Sequence, residues 1–223
     1  FDSGKKFFGS KCVVVGSNSS AHDICMNLWE QGADVTMVQR SETLVVRSET
    51  FFSRSKYTQA VADSGVTTAD LDLAGASIPY QLMREQMRSV WSQIANDDRE
   101  YYRRLVDAGF LLTFGEDQTG LEMMYMYRGS GYYIDVGATE LVVEGLVKLR
   151  SGVTIQRIED RGMVLSDDTK IEADLIVFAT GFQSMSSWVS KLISSDMAVK
   201  VGECWGLGSG TKYDPGPWEG ELR

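Results

Sequence analysis

The feature that most constrains this chain is a junction close to its start. Lys11-Cys12-Val13-Val14-Val15-Gly16 is a β-branched run that stops at glycine. It passes through Ser17-Asn18-Ser19-Ser20 into a segment whose apolar residues Ala21, Ile24, Cys25, Leu28 and Trp29 recur at helical spacing. The spacing predicts a helix of about three turns, with Ser19 or Ser20 available to cap it and Gly32 to stop it. Ala33-Asp34-Val35-Thr36-Met37-Val38-Gln39 is a second compact β-branched run. Strand, helix and strand therefore fit within the roughly 30 residues such a unit needs, and they predict parallel neighbours in one sheet.

The turn itself, Gly16-Ser17-Asn18-Ser19-Ser20-Ala21, has the register of G-x-G-x-x-G/A with asparagine at the middle glycine. The middle position has to let the backbone approach a pyrophosphate. Asparagine is the side chain that best tolerates a left-handed conformation after glycine, so that conformation is expected at Asn18. Ala21 suits the close packing of helix on strand, and the helix N-terminus presents free N–H groups to phosphates. At the end of the second strand an NAD site usually offers a carboxylate to the ribose 2′-hydroxyl. Here Gln39-Arg40-Ser41 offers a cation and a hydroxyl, which suit a 2′-phosphate and point to NADPH, with Arg40 as a solvated surface residue the alternative. The fold class expected is α/β, a Rossmann-like NAD(P)-binding domain. Gly16→Val is expected to remove dinucleotide binding from a chain that still folds.

Beyond this unit, residues 44–131 read as a mostly helical insertion, with helices around Tyr57 to Asp63 and from Gln81 to Ala108. Tyr132 to Val136 reads as a strand with which the sheet resumes, and Thr139 to Leu149 as a short helix with Leu141, Val142, Gly145 and Leu146 inward. Val153 to Ile158 and Met163 to Leu165 read as a hairpin, and Ile171 to Phe178 as a buried strand that runs into Ala179-Thr180-Gly181-Phe182. The domain expectation is residues 1–182 as one nucleotide-binding unit and 183–223 as a partial return segment, with a short helix from Trp188 to Ile193 and a glycine-rich loop from Gly202 to Gly220. With 31 Asp plus Glu against 22 Lys plus Arg, the net charge of −9 has the wrong sign for nucleic acid or an anionic membrane. The longest apolar runs hold five residues or so, where a spanning helix needs about 20.

Three cysteines, Cys12, Cys25 and Cys204, make no CxxC pair, and with the single His22 they form no conventional zinc site. A reduced, cytoplasmic setting is the simplest reading. Cys12 and Cys25 are expected to be small buried hydrophobes, with Cys204 left open. His22 is expected to be a surface or capping residue without a catalytic role. The tryptophan, tyrosine and methionine of the insertion, including Met123-Met124-Tyr125-Met126-Tyr127, would pack a core or line a substrate channel. The start without methionine and the end in loop-like sequence suggest a fragment.

Two separated segments, Val13-Val14-Val15-Gly16-Ser17-Asn18-Ser19-Ser20-Ala21-His22-Asp23-Ile24 and Ala173-Asp174-Leu175-Ile176-Val177-Phe178-Ala179-Thr180-Gly181-Phe182, together resemble the flavin-containing monooxygenases, the class B flavoprotein monooxygenases. Val35 to Ser41 is similar to that family's second strand, and Arg128 to Asp135 to a microbial branch. The resemblance implies a two-dinucleotide-binding flavoprotein. NADPH would reduce FAD, and the reduced flavin would take up molecular oxygen as a C4a-(hydro)peroxide that oxygenates a small-molecule substrate. It also implies that Gly16 to Ala21 cradle the pyrophosphate, that Arg40 and Ser41 hold the 2′-phosphate, and that Ala179, Thr180 and Gly181 form the approach between domains. No FAD fingerprint precedes Gly16, so the activity is expected of a longer parent. Two alternatives stay open: a nucleotide-binding interaction or sensor domain without catalysis, and a related NAD(P)H-dependent flavoprotein reductase, against whose disulfide type the cysteine spacing argues.

Overall fold

The structure is a computed structural model, and it describes residues 1–54, 61, 63–182, 185–202 and 206. A 3-10 turn, Gly4–Lys6, leads into β1 (Lys11–Val15), α1 (Ser19–Glu30) and β2 (Asp34–Gln39). β1 and β2 run parallel, with Lys11 opposite Asp34 and Val15 opposite Val38, as the β-branched runs predict. α1 buries Ala21, Cys25 and Leu28, spaced i, i+4, i+7 along one face. Gly32, at φ +81°, follows its end. The N-cap is Asn18, and Ser19 and Ser20 both fall inside the helix, where neither caps it.

Two further strands, β3 (Leu44–Arg47) and β4 (Tyr132–Asp135), frame the insertion. They pair in parallel with Leu44 opposite Tyr132, forming a two-stranded sheet of their own. The insertion therefore opens on a strand, and β4 closes it without rejoining the main sheet, contrary to both expectations. Between them lie α2 (Ser48–Ser53), α3 (Thr68–Ala76), α4 (Tyr80–Asp97), α5 (Arg99–Asp107) and α6 (Gly120–Arg128). The helix expected around Tyr57 to Asp63 lies largely outside the described residues. The single helix expected from Gln81 to Ala108 is two, broken at Asp98. Its carboxylate accepts from Thr50 Oγ1 at 2.6 Å and from Arg47 Nη1 at 3.3 Å.

The helix expected to reach Leu149 is also shorter. α7 (Ala138–Val143) stops ahead of Gly145, which sits at φ +71°, and β5 (Val147–Ser151) then pairs in parallel with β2. Leu141 and Val142 are buried as expected, whereas Gly145 and Leu146 are exposed. The hairpin is present as β6 (Ile155–Glu159) and β7 (Gly162–Leu165), and a third antiparallel strand, β8 (Lys170–Glu172), extends it. The buried strand expected from Ile171 to Phe178 is split. The N–H of Ala173 donates to Arg161, Asp174 takes the N–H of Lys11, and the chain then enters β9 (Leu175–Phe178) beside β1. β9 is half-buried, and Phe178 is exposed.

The main sheet is wholly parallel in the order β5-β2-β1-β9. Both faces of β1 are covered, Cys12 and Val14 by the core that includes α1, and Val13 by Met163 and Leu165 of the three-stranded sheet. This double burial explains why the strand reads as a continuous apolar run without alternation. The insertion has its own cluster around Leu44, Val46, Trp91, Ile94 and Leu121. It also contributes Leu105, Phe110 and Tyr133 to the main core. The chain continues into α8 (Met185–Leu192), which matches the helix expected near Trp188, and α9 (Ser195–Val201). Most of the expected loop from Gly202 to Gly220, Cys204 included, lies outside the described residues.

Candidate functional site

From β1 the sheet grows to one side through β2 and β5, then returns to the other side of β1 with β9. Parallel sheets bind ligands where the order reverses, outside the carboxyl ends of the strands. At that point lies a cleft of about 420 Å³ lined by Val15 and Gly16 from β1, Val38 from β2 and Phe178 and Ala179 from β9.

Gly16 is the hinge of this site. Its φ is +130°, a conformation L side chains rarely adopt, and a Cβ built on it would fall well inside 3.0 Å of the Ala179 carbonyl oxygen. Its N–H donates to Val38 O at 2.9 Å, and the N–H of Ala179 donates to Val15 O at 2.8 Å. The two sequence motifs, distant in the chain, are thus in backbone contact at the floor of the cleft. Of the residues singled out from sequence, Gly16, Ser17, Asn18, Arg40, Ser41, Ala179 and Thr180 line it together. Ser19, Ser20 and Ala21 form the first turn of α1, with Ala21 fully buried, and Gly181 is exposed just beyond the lining.

The left-handed backbone expected at Asn18 is not found. Its φ is −91° and ψ −172°, an extended N-cap conformation, so the turn needs no glycine there. Its side chain instead accepts from Thr43 Oγ1 at 3.4 Å, and Ser17 Oγ lies 2.7 Å from the same hydroxyl. Ser19 Oγ donates to Tyr132 O at 3.1 Å. The fingerprint side chains are therefore engaged with the base of the insertion, and no side chain among the described residues caps α1. Its first-turn N–H groups and dipole remain for an anion.

Arg40 and Ser41 stand exposed on the rim after β2, and Arg40 makes no ion pair among the described residues. Sequence reasoning missed Glu42 and Thr43 beside them, and missed Arg128 and Ser130 on the wall that the insertion supplies. The only local signal was Arg128-Gly129-Ser130-Gly131, a cation among glycines just ahead of β4.

His22 is not on the surface. It is fully buried, stacked on Tyr133 with ring centroids 4.0 Å apart, and burial pushes its pKa down to about 4. It is neutral at ordinary pH. Cys12 and Cys25 are buried free thiols as expected, and burial raises both, Cys12 to about 11, so neither is poised as a thiolate. Trp91, Met123 and Met124 are buried core, which answers the channel alternative for these three. Among the described residues no acid, histidine or thiol cluster could hold a metal, and no helix is long and apolar enough to cross a membrane.

Residues 1–108 match a family model described as pyridine nucleotide-disulphide oxidoreductase. An indole-3-pyruvate monooxygenase, YUCCA8 of Oryza sativa subsp. indica, is 23% identical over 215 residues, which cover 96% of this chain and 44% of the relative. A probable indole-3-pyruvate monooxygenase, YUCCA10 of Arabidopsis thaliana, is 25% identical over 194 residues, covering 85% and 42%. The chain thus spans less than half the length of the curated relatives it matches. In fold it is similar to an NADP+-bound cyclohexanone monooxygenase variant from Rhodococcus sp. Phi1 (TM-score 0.50, 17% identity, 96% of this chain and 48% of that one). It is likewise similar to an NADP-bound steroid monooxygenase (TM-score 0.50, 17% identity, 83% and 41%).

Proposed function

We propose that this chain, a relative of the class B flavin-containing monooxygenases, is the part of such an enzyme that binds NADPH. The observation that carries the reading is the Gly16–Ala179 contact. Glycine is required there by both φ and space, and the contact sets an uncapped helix N-terminus and an exposed arginine around one cleft.

In this reading the pyrophosphate lies over the first turn of α1, where the free N–H groups and the dipole favour negative charge. The side chains of Ser17, Asn18 and Ser19 hold the turn to Thr43 and Tyr132, which spares the backbone N–H groups for the ligand. Arg40 and Ser41 take the 2′-phosphate, Arg40 by a charge-assisted contact. Arg128 and Ser130 face it from the insertion. Glu42 lines the same rim, and its carboxylate opposes a 2′-phosphate. The net preference for NADPH therefore rests on Arg40.

The described residues provide one cradle of this kind. FAD, which in a flavin monooxygenase accepts hydride from NADPH and activates oxygen, would be held by other parts of the enzyme, and no step through it is derived from these residues. The chain's own share is to fix the dinucleotide at the switch point of its sheet. A small organic substrate and molecular oxygen are the co-reactants this reading implies. A disulfide reductase, which the wording of the family model would suggest, finds no support in Cys12 and Cys25, since both thiols are buried and raised.

Calorimetric titration with NADPH and NADH tests the reading, with an absorbance spectrum taken first for bound flavin. NADPH is expected to bind the more tightly, and Arg40→Ala to weaken NADPH by about 1–3 kcal/mol while leaving NADH nearly unchanged. An equal loss for both nucleotides would remove the 2′-phosphate assignment. Binding of neither would remove the site.

A further inference from the structure

One buried ionisable group takes no part in the account above. His22 is one turn into α1 and is the only histidine of the chain. Its Nδ1 lies 3.2 Å from the Asn18 carbonyl oxygen, which already accepts the backbone N–H of His22 at 3.1 Å. The ring lies nearly parallel to Tyr133 of β4, 7° between planes, with Phe110 at 5.8 Å on centroids. Its Nε2 is buried with no hydrogen-bond partner among the described residues. A buried polar atom left unpaired costs stability and calls for a reason.

The geometry points to His22 as a positioning residue for the dinucleotide turn, acting through a bond from its Nδ1–H to the Asn18 carbonyl while Tyr133 clamps the ring. The inference rests on the dinucleotide reading. It follows from the planarity of the peptide unit, in which the carbonyl of Asn18 and the N–H of Ser19 point in opposite directions. Drawing the Asn18 carbonyl down along α1 aims the Ser19 N–H out at the cleft. That N–H opens the uncapped first turn, where the pyrophosphate is placed. The tautomer is dictated as well. With the proton on Nε2, the Nδ1 lone pair would face the carbonyl lone pairs, and an N–H donor would be buried unpaired. With the proton on Nδ1 only an acceptor is orphaned. The clamp links the turn to the insertion, since Tyr133 is on β4 and its hydroxyl accepts the N–H of Val136 at 3.1 Å.

Nitrogen-15 NMR of the imidazole is free of overlap in a chain with one histidine. It is expected to show Nδ1 protonated and Nε2 bare, and the opposite tautomer overturns the inference. His22→Phe keeps a ring on Tyr133 and removes both the donor and the orphaned acceptor. The expected result is a thermal midpoint no lower than that of the parent chain, with NADPH affinity down roughly five- to tenfold, the worth of one hydrogen bond. His22→Asn, which restores a donor near the same place, is expected to recover part of the affinity. His22→Leu serves if the phenyl ring does not fit. Parent-like affinity in both apolar variants overturns the positioning role, as does a loss that only follows a falling midpoint. If the parent chain binds no NADPH, the dinucleotide reading fails by itself. The positioning role is then judged by the tautomer and by amide exchange at residue 22, whose N–H donates to the Asn18 carbonyl and is expected to exchange faster in His22→Phe.

Discussion

Gly16 does two jobs that a sequence motif presents as one. The glycine of a strand-turn-helix fingerprint is expected to help cradle a pyrophosphate, and Gly16 lines the cleft. Its Cβ position, however, is filled by the backbone of Ala179, a contact no local pattern announces. Gly16→Ala is therefore expected to cost about 2–4 kcal/mol of folding stability, from backbone strain together with the displaced β9 end, and urea denaturation measures it. The larger Gly16→Val, expected from sequence alone to leave the fold intact, is expected to unfold the chain or nearly so. A Gly16→Ala chain as stable as the parent would separate the two motifs again. Asn18 shows the converse, because the residue stands where glycine is usual and needs no glycine conformation. His22 gives a residue-scale pH effect whose sign follows from burial. Its folded pKa of about 4 lies below the unfolded value of 6.5, so the unfolded chain takes up the proton first as pH falls. The His22 contribution is thus complete above pH 6.5 and is lost between pH 6.5 and about 4, by about 3 kcal/mol in all. Stability curves of the parent and His22→Phe measured across that window should diverge by that amount. Parallel curves would mean that the ring is accessible to water.

At the scale of elements, legibility followed burial. β1, α1 and β2 were readable because a two-sided buried strand is a continuous β-branched run and a one-sided helix shows its i, i+4, i+7 face. β3 and β5 were not, since Leu44–Arg47 and Val147–Ser151 are short runs abutting helical sequence, and their strand state is decided by distant partners, Tyr132–Asp135 and β2. The break between α4 and α5 is likewise tertiary. Asp98 is helix-compatible in sequence, yet its carboxylate is recruited by Arg47 and Thr50 and becomes the corner where the two helices turn. Asp98→Ala is expected to cost about 1–3 kcal/mol, because Thr50 loses its acceptor and the corner its anchor, with Asp98→Asn recovering a part. Thermal melts of the two variants check the order. α6 is seated by a different device, since Gly120 has φ +73° and a Cβ there would overlap the Trp91 indole of α4, whose Nε1 donates to Glu122 Oε2 at 2.7 Å. Gly120→Ala is expected to destabilise by about 2–4 kcal/mol and to shift Trp91 fluorescence as the indole is displaced. An unchanged emission would mean that α6 moves instead.

For the molecule as a whole, the helical insertion and the main sheet share a core. Leu105, Phe110 and Tyr133 are counted in the same core as Cys12, Val14 and Leu28. The seam also carries a buried polar joint, in which Gln39 at the end of β2 donates from Nε2 to Leu111 O and accepts the Leu111 N–H at Oε1, both at 2.9 Å. Gln39 thereby acts as one more rung of the sheet, while its own carbonyl accepts the N–H of Gly152 at 2.9 Å. Arg104 of α5 and Glu140 of α7 close the same seam at the surface with an ion pair, which contributes little by comparison. A unit that shares its core cannot open alone without exposing its neighbour. Amide exchange in α4 and α5 is therefore expected to follow the same global free energy as exchange in β1 and β2. Gln39→Leu leaves the half-buried Leu111 N–H without its partner, while the Leu111 carbonyl keeps the N–H of Thr43. The substitution is expected to lower that free energy by about 1–3 kcal/mol and to free the insertion to exchange by a separate, lower-energy opening. If the insertion already exchanges faster than the main sheet in the parent chain, the cleft wall that carries Arg128 moves independently of the turn that carries Gly16. The proposed dinucleotide site would then be assembled on binding, with correspondingly weaker affinity, and not held ready by the fold.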